Sequence, residues 1–368
     1  MTSLSVENTL HTRLFAQQPK VERKVKIGDG DNFQSKVTIS SKDRPEVNAT
    51  KSLVSDISGQ RIVIATNMRS GSSFIGELLK SDPNTFYSFE PLMLMDVGLH
   101  RGKKKCESYK LPALVDLLYN CTVSKLKFCS PGPYWLHKVF GQSSANFKAG
   151  PKKCSTKEHR VAKTIRSHNL ETLIHAVAAR GGFVLYLVRD PRGIMTSRKQ
   201  IYDRLGKSSQ LKAITSNMCS RFNENLNYLS SGFNNQSLDI RRRVAILRYE
   251  DFAYAPREMA EGLYKFLGRE MHTKVVDYIN THTNLRTKST KTALQYSKTH
   301  TYSTKRDSNK TAEAWREKIR FADLNFIQKT CSYAMETFGY VPVHNVSVLH
   351  DKTFSLVTTL TADLPILH

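Results

Sequence analysis

The pattern of hydrophobic and polar positions divides the chain into three stretches. Through residues 1–58, apolar side chains are scattered among Ser, Thr and Lys and keep no period, which predicts a disordered or stem-like leader. From Arg61-Ile-Val-Ile-Ala-Thr66 onward, short apolar runs alternate with helical spacing. The run Arg61–Thr66 reads as a buried strand, and Thr85–Phe89, Val161–Ile165, Phe183–Val188 and Val244–Leu247 as further β-like runs. Helical patterns fall at Phe74–Leu79, Leu170–Ala179, Gly193–Tyr202, Met218–Leu229 and Arg257–Phe266, with a longer one from about Ala312 to Phe338 that Gly339 stops. Strands that alternate with helices predict an α/β fold, a mainly parallel sheet covered on both faces. The expected domain runs from 59 to 342. Residues 100–156 are irregular and form a cysteine-rich insertion within it, and 343–368 are a tail with no assigned structure. The longest clean apolar stretch, Phe183–Val188, is of strand length. No window reaches the roughly 18 apolar residues of a transmembrane helix, and residues 1–60 lack the apolar core of a secretory signal.

Two clusters carry chemistry. Strand, Arg69-Ser-Gly-Ser-Ser73, then helix is the grammar of a phosphate cradle, in which backbone N–H groups at a helix N-terminus face an anion. Gly71-Ser-Ser-Phe-Ile-Gly76 has the frame of a nucleotide P-loop, but Glu77 stands where a nucleoside triphosphatase needs Lys followed by Ser or Thr. That argues against a kinase or triphosphatase and against a required divalent metal. The cation that enters the loop is Arg69, which can offset charge on a leaving phosphate oxygen. The second cluster is Leu187-Val-Arg-Asp-Pro-Arg-Gly193, followed by Ser197. Arg189 ends a buried strand, Pro191 suits the first turn of the next helix, and Arg189 and Ser197 can converge on one phosphate. Taken alone, an R-D-P-R run is more often an ordinary salt-bridged loop.

Charge and cysteines narrow the setting. The 56 Lys+Arg against 32 Asp+Glu leave a net charge of +24, which attracts nucleic acid, anionic glycans or phosphorylated nucleotides and equally keeps a protein soluble. Six cysteines without a C-x-x-C argue against structural zinc. They allow up to three disulfides in any of 15 pairings. Cys219 and Cys331 fall in predicted core helices and are expected to pair, leaving the four of the insertion to one another. Five N-x-[ST] sequons, at Asn48, Asn120, Asn235, Asn309 and Asn345, lean with the cysteines towards an oxidising lumen.

Together the two clusters resemble a known family. Arg69-Ser-Gly-Ser-Ser-Phe74, Phe89-Glu-Pro-Leu92, Lys163-Thr-Ile-Arg166, Leu187-Val-Arg-Asp-Pro-Arg-Gly193, Leu247-Arg-Tyr-Glu-Asp251 and Thr311-Ala-Glu-Ala-Trp-Arg316 are similar, in order and spacing, to runs of the Golgi carbohydrate 6-O-sulfotransferases, most of all the keratan sulfate and chondroitin branch. The likeness covers about residues 60–342. It implies a P-loop-like sulfotransferase fold and the donor 3′-phosphoadenosine-5′-phosphosulfate, with no metal. It also implies a glycan acceptor, no nucleic-acid partner and residence in the Golgi lumen as a type II membrane protein, although the residues given carry no anchor window. Arg69, Ser70, Gly71, Ser72, Ser73 and Phe74 carry over as the loop around the 5′-phosphosulfate, and Arg189 and Ser197 as 3′-phosphate ligands. Arg306 is expected to close over the donor, and Asp307 departs from the family's Asn.

A sugar hydroxyl is too weak an acid to ionise alone near neutrality, so a base is expected. Glu90 is the candidate, against the plainer reading that a Glu before Pro91 only caps or pairs with an Arg. Lys163 and Arg166 are candidates to hold the sulfuryl oxygens or the acceptor. His137, His159 and His168 are weaker candidates, Glu250-Asp251 reads as a structural pair, and Trp315 as core. The basic stretch 285–320, with ten Lys/Arg and three Asp/Glu, reads as a loop suited to an acidic glycan. The rival reading of the whole chain is a polyanion-binding protein without catalysis.

Overall fold

The computed structural model describes residues 59–93, 110–122, 149–167, 169–283, 307–359 and 364–367. In chain order these form β1 (Arg61–Thr66), α1 (Ser72–Lys80), β2 (Thr85–Phe89), α2 (Lys110–Asn120), α3 (Ala149–Ser155), β3 (His159–Thr164), α4 (Leu170–Val177) and β4 (Phe183–Val188). There follow α5 (Pro191–Arg204), α6 (Leu211–Asn227), α7 (Leu238–Arg241), β5 (Val244–Arg248), α8 (Tyr249–Tyr254), α9 (Pro256–Phe266) and α10 (Thr273–Thr283). The last helices are α11 (Ser308–Glu313), α12 (Phe321–Thr330), α13 (Ser332–Thr337) and α14 (Val346–His350).

The five strands form one sheet in the order β2-β3-β1-β4-β5, with every pairing parallel. β1, β4 and β5 are apolar on consecutive positions because successive side chains face opposite layers and both layers are buried. Val63, Val184, Tyr186, Val188 and Ile246 pack with Leu173 and Ile174 of α4 and Met218 and Phe222 of α6. Ile62, Ile64, Leu185, Leu187 and Leu247 pack on the other face with Ile75, Leu78 and Leu79 of α1, Phe252 of α8, Leu263 of α9 and Val275 of α10. The chain moves outward from β1 to β2, returns through β3, and crosses to β4 beyond β1. A crevice therefore opens at the carboxyl ends of the central strands, where ligands of open α/β sheets bind.

Three sequence expectations are corrected. The helix expected from Ala312 to Phe338 is three pieces, α11, α12 and α13, with Trp315 and Arg316 in the turn between the first two. Arg316 is buried and donates to the carbonyls of Val348 (3.1 Å), Leu349 (2.8 Å) and Asp351, capping α14, so the chain leaves helical geometry to deliver it. The second break falls at Cys331, which is disulfide-bonded to Cys219 of α6 as expected. The insertion is not irregular throughout: α2 buries Ala113, Leu114, Leu117 and Leu118, and Cys121 after it is bonded to Cys154 of α3. Finally, the segment after 342 is packed rather than loose. Val343, Leu349 and Leu356 are buried, and Ile366 bridges to Ile246 on β5. Residues 1–58, His137, His168, Cys106, Cys129 and Arg306 lie outside the described residues.

Candidate active site

The loop after β1 contains two residues in left-handed backbone conformation, Arg69 (φ 76°) and Gly71 (φ 84°). Gly71 caps α1, and the turn is closed by Ser70 N–H on Asn67 O (3.3 Å) and Phe74 N–H on Gly71 O (2.9 Å). First-turn N–H groups of a helix have no intrahelical acceptor, and with the helix dipole they make an anion cradle at Ser72 and Ser73. Gly71 is needed for a second reason: a Cβ there would lie 2.2 Å from Cδ2 of Tyr249.

A left-handed Arg is strained, and the β4–α5 connection holds it in place. Arg189 Nη1 donates to Arg69 O (3.0 Å), Arg198 Nε to Met68 O (3.1 Å), and Arg69 Nε to Ser197 Oγ (2.8 Å). The two sequence clusters are therefore one braced unit. Arg189 also donates to Thr311 O (3.4 Å) and lies over the Tyr249 ring, 4.4 Å from its centroid. Two buried polar atoms of this unit, Ser70 Oγ and Arg189 Nε, have no hydrogen-bond partner among the described residues. A guanidinium N–H left in that state at a cleft suits an anionic ligand with acceptor oxygens.

The connection itself is built from below. Asp190 caps α5 by accepting from Arg192 N–H (2.8 Å), and Pro191 fills the first turn as expected. Asp190 N–H in turn donates to buried Glu250 (3.1 Å), whose second oxygen accepts from Tyr340 Oη (3.0 Å). Burial, and then the nearby Asp190 carboxylate, push the Glu250 carboxyl up to about 7. Asp251 pairs with Arg248 at 2.7 Å, and the Glu250-Asp251 pair is structural, as expected. Trp315 is core, 4.8 Å beneath the Arg192 guanidinium.

The third group lies at the carboxyl ends of β2 and β3. Glu90 is 2% exposed, takes a left-handed conformation (φ 51°), and donates its N–H to Lys163 O (2.9 Å). Its carboxylate accepts from Lys163 Nζ (2.5 Å), Arg166 Nη1 (2.6 Å) and Ile165 N–H (3.3 Å). Burial lowers the Lys163 ammonium from its ordinary range, and the Glu90 carboxylate opposes that shift. Lys163 and Arg166, expected to reach for sulfuryl oxygens or the acceptor, both hold Glu90 in this structure.

Arg69, Gly71 to Phe74, Glu90, Lys163, Arg166 and Arg189 line one cleft of about 800 Å³. Ser197 joins it through Arg69, and Ser70 sits buried behind the loop. Asp307 caps α11 by accepting from Lys310 N–H (3.1 Å). His159 packs at the amino end of β3, remote from the cleft's carboxyl-end groups, accepting from Gln60 N–H (3.2 Å), with its imidazole pulled down chiefly by burial. Arg198 follows the second cluster in the sequence, but sequence reasoning gave neither it nor Tyr249 a role. Tyr249 stands inside the Leu247–Asp251 run, but only the packing reveals that it touches Gly71 and Arg189 together.

A model of the sulfotransferase domain matches residues 59–339. Carbohydrate sulfotransferase 1 of Danio rerio is 28% identical, with 80% of this chain and 82% of that protein covered. Carbohydrate sulfotransferase 3 of Homo sapiens is 26% identical, with 81% and 71% covered. Among solved structures, the sulfotransferase domain of the Synechococcus PCC 7002 olefin synthase aligns over 75% of this chain and 94% of its own, at 18% identity and a TM-score of 0.43. Since the matching domain begins just before β1 and ends just after α13, taking in the braced loop, the Glu90 cluster and the whole sheet, the chain belongs to the sulfotransferase domain family.

Proposed function

We propose that the protein transfers a sulfuryl group from 3′-phosphoadenosine-5′-phosphosulfate to the 6-hydroxyl of a galactose, N-acetylgalactosamine or N-acetylglucosamine residue in a glycan. The observation that carries this reading is the joining of two anion-holding elements, the Arg69 loop and Arg189, opposite a buried carboxylate in one cleft. The orphaned Nε of Arg189, a residue that lines the cleft, fits a phosphate of such a donor, which supplies the sulfuryl group. Arg69 and the N–H groups of Ser72 and Ser73 take the 5′-phosphosulfate, and Arg189 with Ser197 takes the 3′-phosphate.

Glu90 accepts the proton of the acceptor hydroxyl as its oxygen bonds to sulfur and the sulfur–oxygen bond to the phosphate breaks. For that, one of its oxygens must turn from Lys163 or Arg166 to the hydroxyl. The freed cation then faces the sulfuryl oxygens, so exchange of partners at Glu90 links acceptor entry to charge stabilisation. Arg69 offsets charge on the leaving phosphate. A lumenal, oxidising setting such as the Golgi suits the two disulfides.

The test is transfer of ³⁵S from labelled donor to a panel of desulfated glycans. Glu90→Gln should lower turnover by about 10²- to 10⁴-fold and remove the acidic limb of the rate profile, which Arg69→Ala should retain. A Glu90→Gln enzyme within about threefold of the original would assign the proton to another group. A folded protein that labels no acceptor would leave the non-catalytic polyanion-binding reading in its place.

A further inference from the structure

The cleft does not end at Glu90. It continues along β2, the edge strand of the sheet, past Phe89, Tyr87, Phe86 and Thr85 to Lys153 and Lys157. Thr85 pairs with His159 at the start of β3, so Lys157, two residues earlier, stands at the amino ends of β2 and β3, the opposite end of these strands from Glu90. From Thr85 to Phe89 the strand rises about 13 Å. The structure thus describes a channel with the proposed catalytic group at one end and two lysines at the other.

The charge of that far end is positive. Its carboxylates are already paired, Glu77 with Lys80 at 2.8 Å and Asp82 with Arg269. Among the described residues, neither Lys153 nor Lys157 has a carboxylate partner. Lys157 Nζ is fixed on Pro83 O at 2.6 Å, and Lys153 is exposed on α3, whose Cys154 is tied to Cys121 beyond α2. A disulfide-held helix that presents a lysine to a cleft is placed rather than mobile, which lowers the entropy lost on binding. On a chain of net charge +24, this end selects an anion.

We infer that Lys153 and Lys157 form a distal acceptor subsite, which recognises a sulfate or carboxylate a few sugar rings from the reacting hydroxyl. The inference rests on the sulfotransferase reading for the direction in which the acceptor lies. Its substrate class is then an acidic glycan chain, bound along β2 and not only at its reacting sugar.

The experiment compares two oligosaccharides that share the reacting sugar and differ in one distal sulfate. Calorimetry measures binding to the full chain, and transfer of labelled sulfate is measured separately. The acidic oligosaccharide should bind about fivefold tighter, with the preference fading as salt is raised. Lys153→Glu should abolish that preference through KM rather than kcat. Lys157→Gln, which keeps a donor for Pro83 O, should reduce it. Equal binding of the two oligosaccharides, or Lys153→Glu weakening both alike, would overturn the subsite. Selective binding without any transfer would uphold the subsite and overturn the catalytic reading, so the two failures are distinct.

Discussion

Replacing Gly71 by Ala tests whether the anion loop and Arg189 are held as one unit through Tyr249. Two costs add. The left-handed backbone at φ 84° penalises any Cβ by about 1–2 kcal/mol. The new methyl would also stand 2.2 Å from Cδ2 and 2.4 Å from Cε2 of Tyr249, and forcing a buried ring aside costs about 1–3 kcal/mol. The sum is about 2–5 kcal/mol of unfolding free energy. Gly181 provides the control, because its φ is 79° while its Cβ position is open, with nothing within 4 Å. It lies just before the amino end of β4, away from the loop at the carboxyl end of β1. Gly181→Ala therefore carries the backbone cost alone. Urea unfolding of both variants separates strain from collision, and calorimetry with 3′-phosphoadenosine 5′-phosphate reports the site. Tyr249 cannot move without disturbing the guanidinium 4.4 Å from its ring, so Gly71→Ala should weaken binding at least tenfold, about 1.4 kcal/mol, and Gly181→Ala should leave it unchanged. If Gly71→Ala costs no more stability than Gly181→Ala and binds the nucleotide normally, Tyr249 does not couple the two elements.

Three further outcomes are expected. Arg189→Ala should weaken nucleotide binding by about 10- to 100-fold, the worth of a charge-assisted hydrogen bond to phosphate, in a protein that still folds but melts lower because the brace on Arg69 O is lost; unchanged calorimetric affinity would remove Arg189 from the site. Glu250 holds its proton more tightly folded than unfolded, since its carboxyl is raised to about 7. Its contribution to stability is therefore full below the ordinary carboxylate range and is lost as pH rises through about 7, a swing of about 3 kcal/mol. Glu250→Gln should gain on the original protein by that order between pH 5 and 8 in denaturant titrations, and a pH-independent difference would show that Glu250 ionises equally freely in both states. Removing the Cys219–Cys331 bond, by Cys219→Ala with Cys331→Ala, should cost about 3–5 kcal/mol because the bond closes a loop over a sequence separation of 112; a loss under about 1 kcal/mol would show that the bond does not constrain the unfolded chain.

The sequence alone determined the strands, the loop and the class of fold. Five runs of strand length, three of them continuously apolar, alternate with helical spacing, and burial on both faces leaves such continuous runs in a parallel sheet. Arg69, Gly71 and Arg189 were legible for a similar reason: a cradle at a helix N-terminus and a cation at a strand end are local chemistry, written within a few residues. What depended on distance along the chain was decided only by the tertiary structure. The break of Ala312–Phe338 into three helices follows from carbonyls at 348–351 that draw Arg316 inward, about thirty residues away. The brace from Arg189 and Arg198 to the Arg69 loop, the clamp of Lys163 and Arg166 on Glu90, and the contact of Tyr249 with Gly71 span from 73 to about 180 residues. No period or spacing encodes such contacts. They exist because parallel strands with crossover helices deliver separate strand ends to one edge of the sheet, and packing then decides which side chains meet there.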